Sequence, residues 1–410
     1  MTDYVITNGV SASYPARHYG AHFTGNRATF CETADFAALN ANVLAIPNLP
    51  VRVLSASPVS VAANFFGMHI NKRVNDTASA ISYGTVRSLD MDGTRGGWHK
   101  IQTTSSADTT TWNWTDLDSW VNTHYAASRD LIFVLFGTPT FFSARPTEEG
   151  AYGLGALGAQ AEPTAANMTK WSAFCTAVAT RYLGKIKYYE VWNEPNLNSN
   201  GTGPGGVDDL MFFFSGTFAK LSEMTRLANQ AIKAVDATAK IISSSLTDWR
   251  GTASATDTYF TNMMTASDGA NGVMKDWVDI IGVHLYISGN DTSRLPGMID
   301  RISACKATAG ISAMETWDTE SAPFNPDTSL LTDAQTNKIM GRAMITMAAK
   351  GVARTMYYQY DIRTMGIKNR GIVSYRERII GLLMSGTILA VYEFPGGQVG
   401  YYTNAGLTFI

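Results

Sequence analysis

The feature that most constrains the fold is an alternation of strand-like and helix-like segments, which begins near Phe65 and continues to about residue 391. Eight strand-like runs can be counted, and strands that alternate with helical patterns favour βαβ units and a parallel sheet. A chain of 410 residues is long enough for one barrel of roughly 250 to 400 residues with additions. We therefore predict an α/β fold, a (β/α)8 TIM barrel over residues 61–391. A β-rich extension is predicted over 1–60 and a short β tail over 392–410.

The predicted barrel strands lie within 64–73, 81–94, 130–145, 187–198, 239–249, 277–288, 311–324 and 352–363. The predicted helices lie within 112–128, 168–184, 210–236, 297–310, 331–351 and 371–394. Two Gly-rich segments, 146–163 and 198–209, are predicted to be loops over the top of the barrel.

The segment 187–198 is predicted to be a buried strand that ends in a loop, and it reads KYYEVWNEPNLN. Because side chains alternate along a strand, we expect Glu190, Trp192 and Glu194 to share one face. A carboxylate at the end of an apolar strand is costly unless it has a function. In a parallel barrel, catalytic groups occupy these strand ends. Glu194 is therefore a candidate catalytic residue, and the alternative is a strand that simply ends in an N-E-P turn.

The motif W-N-E-P-N resembles the acid/base motif of the clan A glycoside hydrolases, which are (β/α)8 barrels. Its surroundings, RYLGKIKYYEVWNEPN, are most similar to family 39 (β-xylosidase-like) members and to related exopolysaccharide hydrolases. The resemblance covers roughly residues 64–390. It implies that Glu194 is the general acid/base and that Asn193 binds the sugar 2-hydroxyl.

Residues on three further strands match the same family pattern. The H-x-Y pair of His284 and Tyr286 resembles one in which the tyrosine donates to the nucleophilic carboxylate and the histidine lines the sugar subsite. The resemblance also implies that Arg87 supports the nucleophile and that His69 lies near the barrel rim. From the residues alone, an arginine on an apolar strand also predicts an ion pair with Glu190, and the two roles are compatible.

The segment 311–324 contains three carboxylates that compete as the second essential acid, namely Glu315, Asp318 and Glu320. Glu315 lies too early in the strand. Asp318 and Glu320 are expected to share a face, and Glu320 is the last of them before a loop. The form W-D-T-E-S resembles the nucleophile strand W-x-T-E of family 39 relatives, so the resemblance implies that Glu320 is the nucleophile and Asp318 supports it. The following Ser-Ala departs from the aromatic residue and Gly of many relatives, which affects the expected substrate fit.

Aromatic residues at strand ends are candidates for contact with a sugar ring. Relatives commonly carry a tryptophan platform after the eighth strand, where this chain offers Tyr360 or Tyr358. Trp249, at the end of the fifth strand, either stacks on a sugar or packs in the core. A cleft lined by Trp98, Trp192 and tyrosines suggests a β-linked polysaccharide, with a bacterial surface or exopolysaccharide as the hypothesis.

Two glutamates that flank one bond are what a retaining glycoside hydrolase needs. We expect Glu194 to have a raised pKa, and Glu320 to stay ionised because Arg87 and Tyr286 donate to it. No metal or cofactor is expected, since the histidines lack a ligand spacing such as HExxH. The alternatives are a transglycosylase on the same fold and a non-catalytic carbohydrate-binding or virion protein. The presence of both glutamates favours an enzyme.

Composition excludes some partners and suits a carbohydrate. The net charge of -2 and the pI of about 6.3 argue against a nucleic-acid partner. No apolar run reaches the roughly 18 residues of a membrane span. Charged residues make up 16% of the chain against a usual figure of about 25%, and aromatic residues make up 11%. Such a surface suits a ligand that offers hydroxyls and apolar ring faces.

The cysteines and the first residues bear on location. Cys31, Cys175 and Cys305 give no disulfide framework, and the last two fall in helical patterns as expected buried free thiols. The start, MTDYVITNG, lacks the features of a signal peptide. A cytoplasmic location is the default expectation, and release by lysis or on a phage particle would allow action on an extracellular polysaccharide. The sequence does not indicate whether the protein is a monomer or an oligomer.

Overall fold

The computed structural model describes residues 21–24, 27–30, 52–77, 81–89, 96–106, 108–149, 156–197, 213–247, 249, 255–268, 272–288, 292–324, 331–361, 365–394, 397–404 and 406–410. Within these residues, eight strands close a barrel. They are β1 (Phe66–His69), β2 (Thr85–Arg87), β3 (Asp130–Leu135), β4 (Tyr188–Val191), β5 (Lys240–Ile242), β6 (Ile280–His284), β7 (Glu315–Ser321) and β8 (Arg354–Tyr357).

All neighbouring barrel strands are parallel, and each pairs with the next one along the chain. The ring closes where β8 pairs with β1, with Thr355 opposite Phe66. Each of the eight predicted segments contains one strand of the barrel, so the (β/α)8 prediction is confirmed. Because every strand is parallel, all the carboxyl ends meet at one face of the barrel.

Helices surround the strands. They are α1 (Trp98–Ile101), α2 (Thr115–Ala126), α3 (Met168–Arg181), α4 (Phe218–Val235), α5 (Ala255–Thr265), α6 (Leu295–Thr308), α7 (Asp333–Ala349) and α8 (Ile372–Met384). Short 3-10 turns span Ala63–Phe65, Arg73–Asn75, Thr109–Thr111, Thr140–Phe142, Ala165–Asn167 and Met274–Trp277. Helices α1 and α5 were not predicted. Helix α7 is capped at its N-terminus by Thr332, whose side chain accepts a hydrogen bond from the backbone N–H of Gln335.

A small antiparallel sheet lies beside the barrel and corrects one prediction. Its strands are Arg52–Ser55, Ala390–Phe394, Gln398–Thr403 and Gly406–Phe409. The helix predicted over 371–394 is wrong after Met384, because Ala390–Phe394 is a strand that pairs on both edges. Pairing with two neighbours satisfies its backbone groups, so tertiary context overrides the local helical pattern.

Two shorter strand pairs complete the described structure. Ala21–Thr24 pairs with Arg27–Phe30, and Ile287–Ser288 pairs with Pro323–Phe324 beyond the ends of β6 and β7. Most of the predicted extension over 1–60 lies outside the described residues. The same is true of the predicted loop 198–209 and of part of the loop 146–163.

The barrel interior is filled in two layers. The first is an apolar plug formed by Ile132, Ile242, Ile280, Trp317 and Met356. The second, nearer the carboxyl ends of the strands, is polar and contains the buried residues His69, Arg87, Glu190 and Thr319. The apolar plug therefore fills the part of the interior that is farther from the carboxyl ends of the strands, and the polar layer faces those ends.

The described cysteines are free and buried, as predicted. Cys175 lies in α3 and Cys305 in α6. Among the described helices, none combines the length and apolar character needed to cross a bilayer.

Candidate active site

Two glutamates and a histidine meet at the carboxyl-terminal face of the barrel. Glu194 follows β4, Glu320 is the penultimate residue of β7, and His284 ends β6. One carboxylate oxygen from each glutamate and one ring nitrogen of the histidine all lie within 4.8 Å of one another. All three residues are buried, with Glu194 7% and Glu320 5% exposed. Both glutamates therefore keep a small exposed fraction at this face of the barrel.

Arg87, the last residue of β2, holds the centre of this arrangement. Its Nε and Nη2 donate to the two carboxylate oxygens of Glu190 at 2.6 and 2.8 Å. Its Nη1 donates to Glu320 Oε2 at 2.8 Å, and its Nη2 also donates to Asn193 Oδ1 at 2.9 Å. The guanidinium is fully buried. Arg87 therefore pairs with Glu190 and contacts Glu320 at the same time, as both sequence arguments expected.

Glu320 receives two strong donors on its two oxygens. Arg87 binds Oε2, and the hydroxyl of Tyr286 donates to Oε1 at 2.5 Å. Donors of this kind stabilise a negative charge. Burial and the charge of Glu320 raise the pKa of Tyr286 well above its usual value, so the phenol keeps its proton. The two donors also fix the plane of the carboxylate.

Glu194 is paired with His284 in a way that allows either partner to hold the proton. The distance between His284 Nδ1 and Glu194 Oε1 is 2.7 Å. Burial lowers the pKa of His284, against the opposing effect of Glu320, so the imidazole is neutral near pH 7. A neutral imidazole can donate from Nδ1 to an ionised carboxylate or accept there from a carboxylic acid. Glu194 can therefore exist in both protonation states beside the same neighbour.

The predicted shared face of Glu190, Trp192 and Glu194 is wrong for Trp192. Strand β4 ends at Val191, and both Trp192 and Glu194 have positive φ angles of 68° and 40°. Trp192 is fully buried against Phe136 and Phe214. The strand alternation stops at the point where the chain turns, so Trp192 does not line a cleft.

The predicted shared face of Asp318 and Glu320 is also wrong. Trp317 belongs to the barrel plug, which places Asp318 on the opposite, outer face of β7. The pairing of β7 with β6 then shifts register between Asp318 and Glu320. This irregularity lets Glu320 point into the barrel toward Arg87.

Two other predicted residues, His69 and Tyr358, lie beside these groups. His69, the last residue of β1, contacts the carbonyl oxygen of Thr319 through Nε2 at 2.9 Å, so that nitrogen is the donor. Burial, followed by the charge of Arg87, lowers the pKa of His69 well below its usual value. The Tyr358 ring is half-buried, and its centroid lies 5.1 Å from that of His69 and 6.3 Å from that of Tyr286. Tyr358 therefore belongs to the site.

The structure does not bring Tyr360 or Trp98 to the site. Strand β8 ends at Tyr357, so alternation does not carry on to Tyr360, which packs in the hydrophobic core between strands and helices. Trp98 is fully buried and stacks on Phe142 and Phe174 at 5.6 and 5.5 Å between ring centroids. The prediction that Trp98 and Trp192 line a cleft is wrong, because both fill space behind the strands.

Trp249 is likewise a packing residue. It is fully buried, its indole nitrogen donates to the carbonyl of Leu246 at 2.9 Å, and its ring contacts Phe260. The sequence allowed Trp249 either to stack on a sugar or to pack in the core, and the structure shows that it packs in the core.

Sequence reasoning missed two residues that hold the site in place. The hydroxyl groups of Ser245 and Thr319 are 2.7 Å apart and share a hydrogen bond. The backbone carbonyl of Ser245 accepts a hydrogen bond from the backbone N–H of Glu194 at 3.0 Å. Asn196 makes two hydrogen bonds to the backbone of Thr247, which fixes the loop after β4. The available signal was the run of three serines, 243–245, at the end of an apolar strand.

The spacing of three ligand atoms, from Glu194, His284 and Glu320, would also suit a bound cation. Glu320 already accepts hydrogen bonds from Arg87 and Tyr286. Glu194 forms a hydrogen bond with His284 Nδ1. Protein contacts therefore account for the positions of both carboxylates.

Solved structures share this fold at low sequence identity. A glucosidase from Croceicoccus marinus is 14% identical with a TM-score of 0.59, covering 86% of this chain and 74% of that one. A family 39 glycoside hydrolase from the gut symbiont Bacteroides cellulosilyticus is 12% identical with a TM-score of 0.53, covering 86% and 71%. A family 39 β-xylosidase from Caulobacter crescentus is 14% identical with a TM-score of 0.53, covering 84% and 76%. No protein-family profile and no curated protein sequence matches the chain.

Proposed function

We propose that the chain is a retaining glycoside hydrolase that cleaves O-glycosidic bonds by double displacement. The observation that carries the proposal is the pair of carboxylates at the ends of β4 and β7, with one oxygen of each within 4.8 Å. Carboxyl groups about 5 to 5.5 Å apart belong to retaining enzymes, whereas inverting enzymes need roughly 6.5 to 9.5 Å for an intervening water. The similar structures described as glycoside hydrolases support the same class.

The first step forms a covalent glycosyl-enzyme. Glu320, held as a carboxylate by Arg87 and Tyr286, attacks the anomeric carbon. The bond from that carbon to the leaving oxygen breaks, and Glu194 gives its proton to this oxygen. Neutral His284 stays in contact with Glu194 and accommodates the carboxylate that remains.

The second step releases the sugar. Glu194, now ionised, takes a proton from a water molecule, and the water oxygen attacks the anomeric carbon. The bond to Glu320 breaks, and Glu194 is protonated again. Two inversions at one carbon retain its configuration. All of these proton transfers are made by side chains of this chain.

Other side chains are proposed to hold the sugar. Arg87 engages Oδ1 of Asn193, which leaves the amide nitrogen of Asn193 to donate to the sugar 2-hydroxyl. Tyr286 and the half-buried Tyr358 form an aromatic corner beside Glu320, on which an apolar sugar face can rest, and the buried His69 packs against the Tyr358 ring.

We propose a β-linked poly- or oligosaccharide as substrate, with bacterial exopolysaccharide as the class to test first. Support comes from a similar structure described as a β-xylosidase and from the low charge of the chain. Trp98 and Trp192 give no support, because both are buried. Release of sugar from short xylosides, combined with no release from any polymer, would contradict the polysaccharide hypothesis.

Covalent trapping tests the mechanism. The protein is incubated with activated 2-fluoro glycosides, including xylosides and glucosides, and the labelled peptide is mapped by mass spectrometry. We expect the label on Glu320 and its loss in Glu320→Gln. Glu315→Gln is the matched control, since Glu315 lies on the same strand but at the exposed opposite end, and it should label normally.

The roles of the two acids are separated by the leaving group. Glu194→Gln should lose roughly 100- to 10,000-fold in rate on substrates with a poor leaving group, and much less on substrates with a good one. A label on a different residue, or equal losses for both kinds of leaving group, would refute the assignment. Analysis of the products with an added sugar acceptor distinguishes hydrolysis from transglycosylation, which shares the intermediate.

A further inference from the structure

Asp318 is a fully buried acid that the proposed mechanism does not use. It lies two residues before Glu320 on β7, on the face opposite the barrel interior. A buried carboxylate between strands and helices is costly unless several donors satisfy it. The donors that surround Asp318 are therefore informative.

Three donors reach this carboxylate, and two of them directly adjoin residues of the site. The Leu285 backbone N–H donates to Oδ1 at 3.0 Å, and Leu285 lies between His284 and Tyr286. The Ser321 hydroxyl donates to Oδ2 at 2.5 Å, directly after Glu320. The Thr355 hydroxyl, on the neighbouring strand β8, donates to Oδ2 at 2.6 Å. Asp318 thus connects three adjacent strands just below the site.

These contacts sit where the backbone pairing of β7 is broken. With β6, Asp318 is opposite Val283 and Glu320 is opposite His284, so two residues of β7 span one step of β6. With β8, the register shifts between Asp318 and Ser321. Such a bulge redirects the side chains that follow it. In a regular strand Glu320 would share the outer face of Asp318, away from Arg87.

We propose that Asp318 is a positioning residue that holds this bulge and thereby directs Glu320 into the site. Its carboxylate replaces the missing backbone partner of Leu285 and binds hydroxyls on both sides of the irregularity. This inference rests on the proposed role of Glu320 as nucleophile.

The arrangement needs the ionised form of Asp318, because all three neighbours donate to it. Burial raises the pKa of Asp318 to about 6, with opposing effects from its donors and from His284. Tyr357 and Arg376 line a cavity with Leu285, Ser321 and Thr355. The pKa of Tyr357 is raised by burial and that of Arg376 is lowered to about 10, so neither titrates near pH 6. Protonation of Asp318 then removes an acceptor from the bulge as the pH falls through about 6.

Asp318→Asn tests the proposal, because the amide resembles the protonated acid in shape and donor pattern. We expect kcat on an activated glycoside at pH 7.5 to fall roughly 100-fold, the order of loss produced by a small misplacement of a reacting group. KM should change little. The ratio of wild-type to variant activity should decrease as the pH falls below about 6, where the wild type also carries a neutral Asp318.

Controls separate positioning from general stability. Thr316 lies two residues before Asp318 on the same face of β7, and its hydroxyl accepts a buried hydrogen bond from Lys306. Thr316→Val removes this bond and should leave kcat unchanged. Thr355→Val removes one of the three donors and should lower kcat several-fold, so it carries the test if Asp318→Asn does not fold. Hydrogen exchange at the Leu285 amide should be faster in Asp318→Asn, and this readout does not depend on activity.

The outcomes are distinct. An active wild type with an equally active Asp318→Asn, or with an activity ratio that stays constant from pH 5 to pH 8, would overturn the role of Asp318 alone. A wild type that is inert on every glycoside would instead count against the proposed function, and the exchange of Leu285 would still report whether Asp318 holds the bulge.

Discussion

Replacement of Arg87 by methionine should destabilise the protein strongly. Arg87 is fully buried, and its guanidinium donates two hydrogen bonds to Glu190, one to Glu320 and one to Asn193. Methionine fills a similar volume but leaves both carboxylates without their cation. Removing one partner of a buried ion pair costs about 3 to 5 kcal/mol, since the remaining charge is neither hydrated nor paired. That is a large part of a total stability of about 5 to 15 kcal/mol.

Companion variants test the origin of this loss. Glu190→Gln keeps the Arg87–Glu320 pair and should cost less, about 1.5 to 3 kcal/mol for hydrogen bonds to a charged group. The double variant should be more stable than the sum of the single losses predicts, by about 0.5 to 3 kcal/mol, because the methionine then faces one uncompensated carboxylate rather than two. Arg181→Met is the control, since Arg181 pairs with Asp118 at 2.6 Å in a partly exposed site and should cost at most about 1 kcal/mol.

The assay is urea unfolding followed by the fluorescence of the nine tryptophans. Free energies from the midpoints are compared at one pH for the four variants and the wild type. A loss below about 1 kcal/mol in Arg87→Met, or strictly additive losses in the double variant, would refute the view that Arg87 neutralises a buried pair of acids.

Three further predictions use other parts of the structure. Tyr286→Phe removes a 2.5 Å hydrogen bond to Glu320 and should lower kcat about 10- to 150-fold, measured by steady-state kinetics on the folded variant. Burial lowers the pKa of His99 to about 4, so the folded protein resists protonation there. Above about pH 6.5, His99 is neutral in both the folded and the unfolded protein and does not reduce the free energy of unfolding. As the pH falls from about 6.5 toward 4, only the unfolded protein is protonated there, so the free energy of unfolding decreases by about 1.4 kcal/mol per pH unit. His99→Gln should therefore flatten the dependence of unfolding temperature on pH in this range. Gly137→Ala would place a Cβ 2.1 Å from the His99 ring at a φ of +82°, and should destabilise far more than Gly184→Ala. The latter has a φ of +75° and nothing within 4 Å, and thermal unfolding compares the two.

The order of the barrel strands could be predicted because periodicity is a local property. Each strand carries an apolar run, and each run is bounded by turn residues, so counting recovered all eight. Glu194 and Glu320 could be located because a charge at the end of such a run stands out. The observed strands are shorter than the predicted ones, since pairing ends where the polar rim begins.

Side-chain directions near strand ends could not be predicted from alternation. Trp192 and Glu320 both follow a break in regular geometry, a positive φ in one case and a bulge in the other. Neither break has a composition of its own that the sequence reveals. The last helix was predicted too long for a related reason, because the pairing of Ala390–Phe394 with Arg52–Ser55 joins segments distant in sequence.

The closure of the ring between β8 and β1 has a consequence for biosynthesis. Phe66 pairs with Thr355, so the first strand needs a partner that is translated on the order of 290 residues later. At about 5 to 20 residues per second, one edge of β1 waits roughly 15 to 60 s before its neighbour exists. An unpaired edge can recruit other strands. Until β8 has been translated, that edge of β1 has no barrel partner, so the interval before ring closure is the period in which mispairing is most favoured.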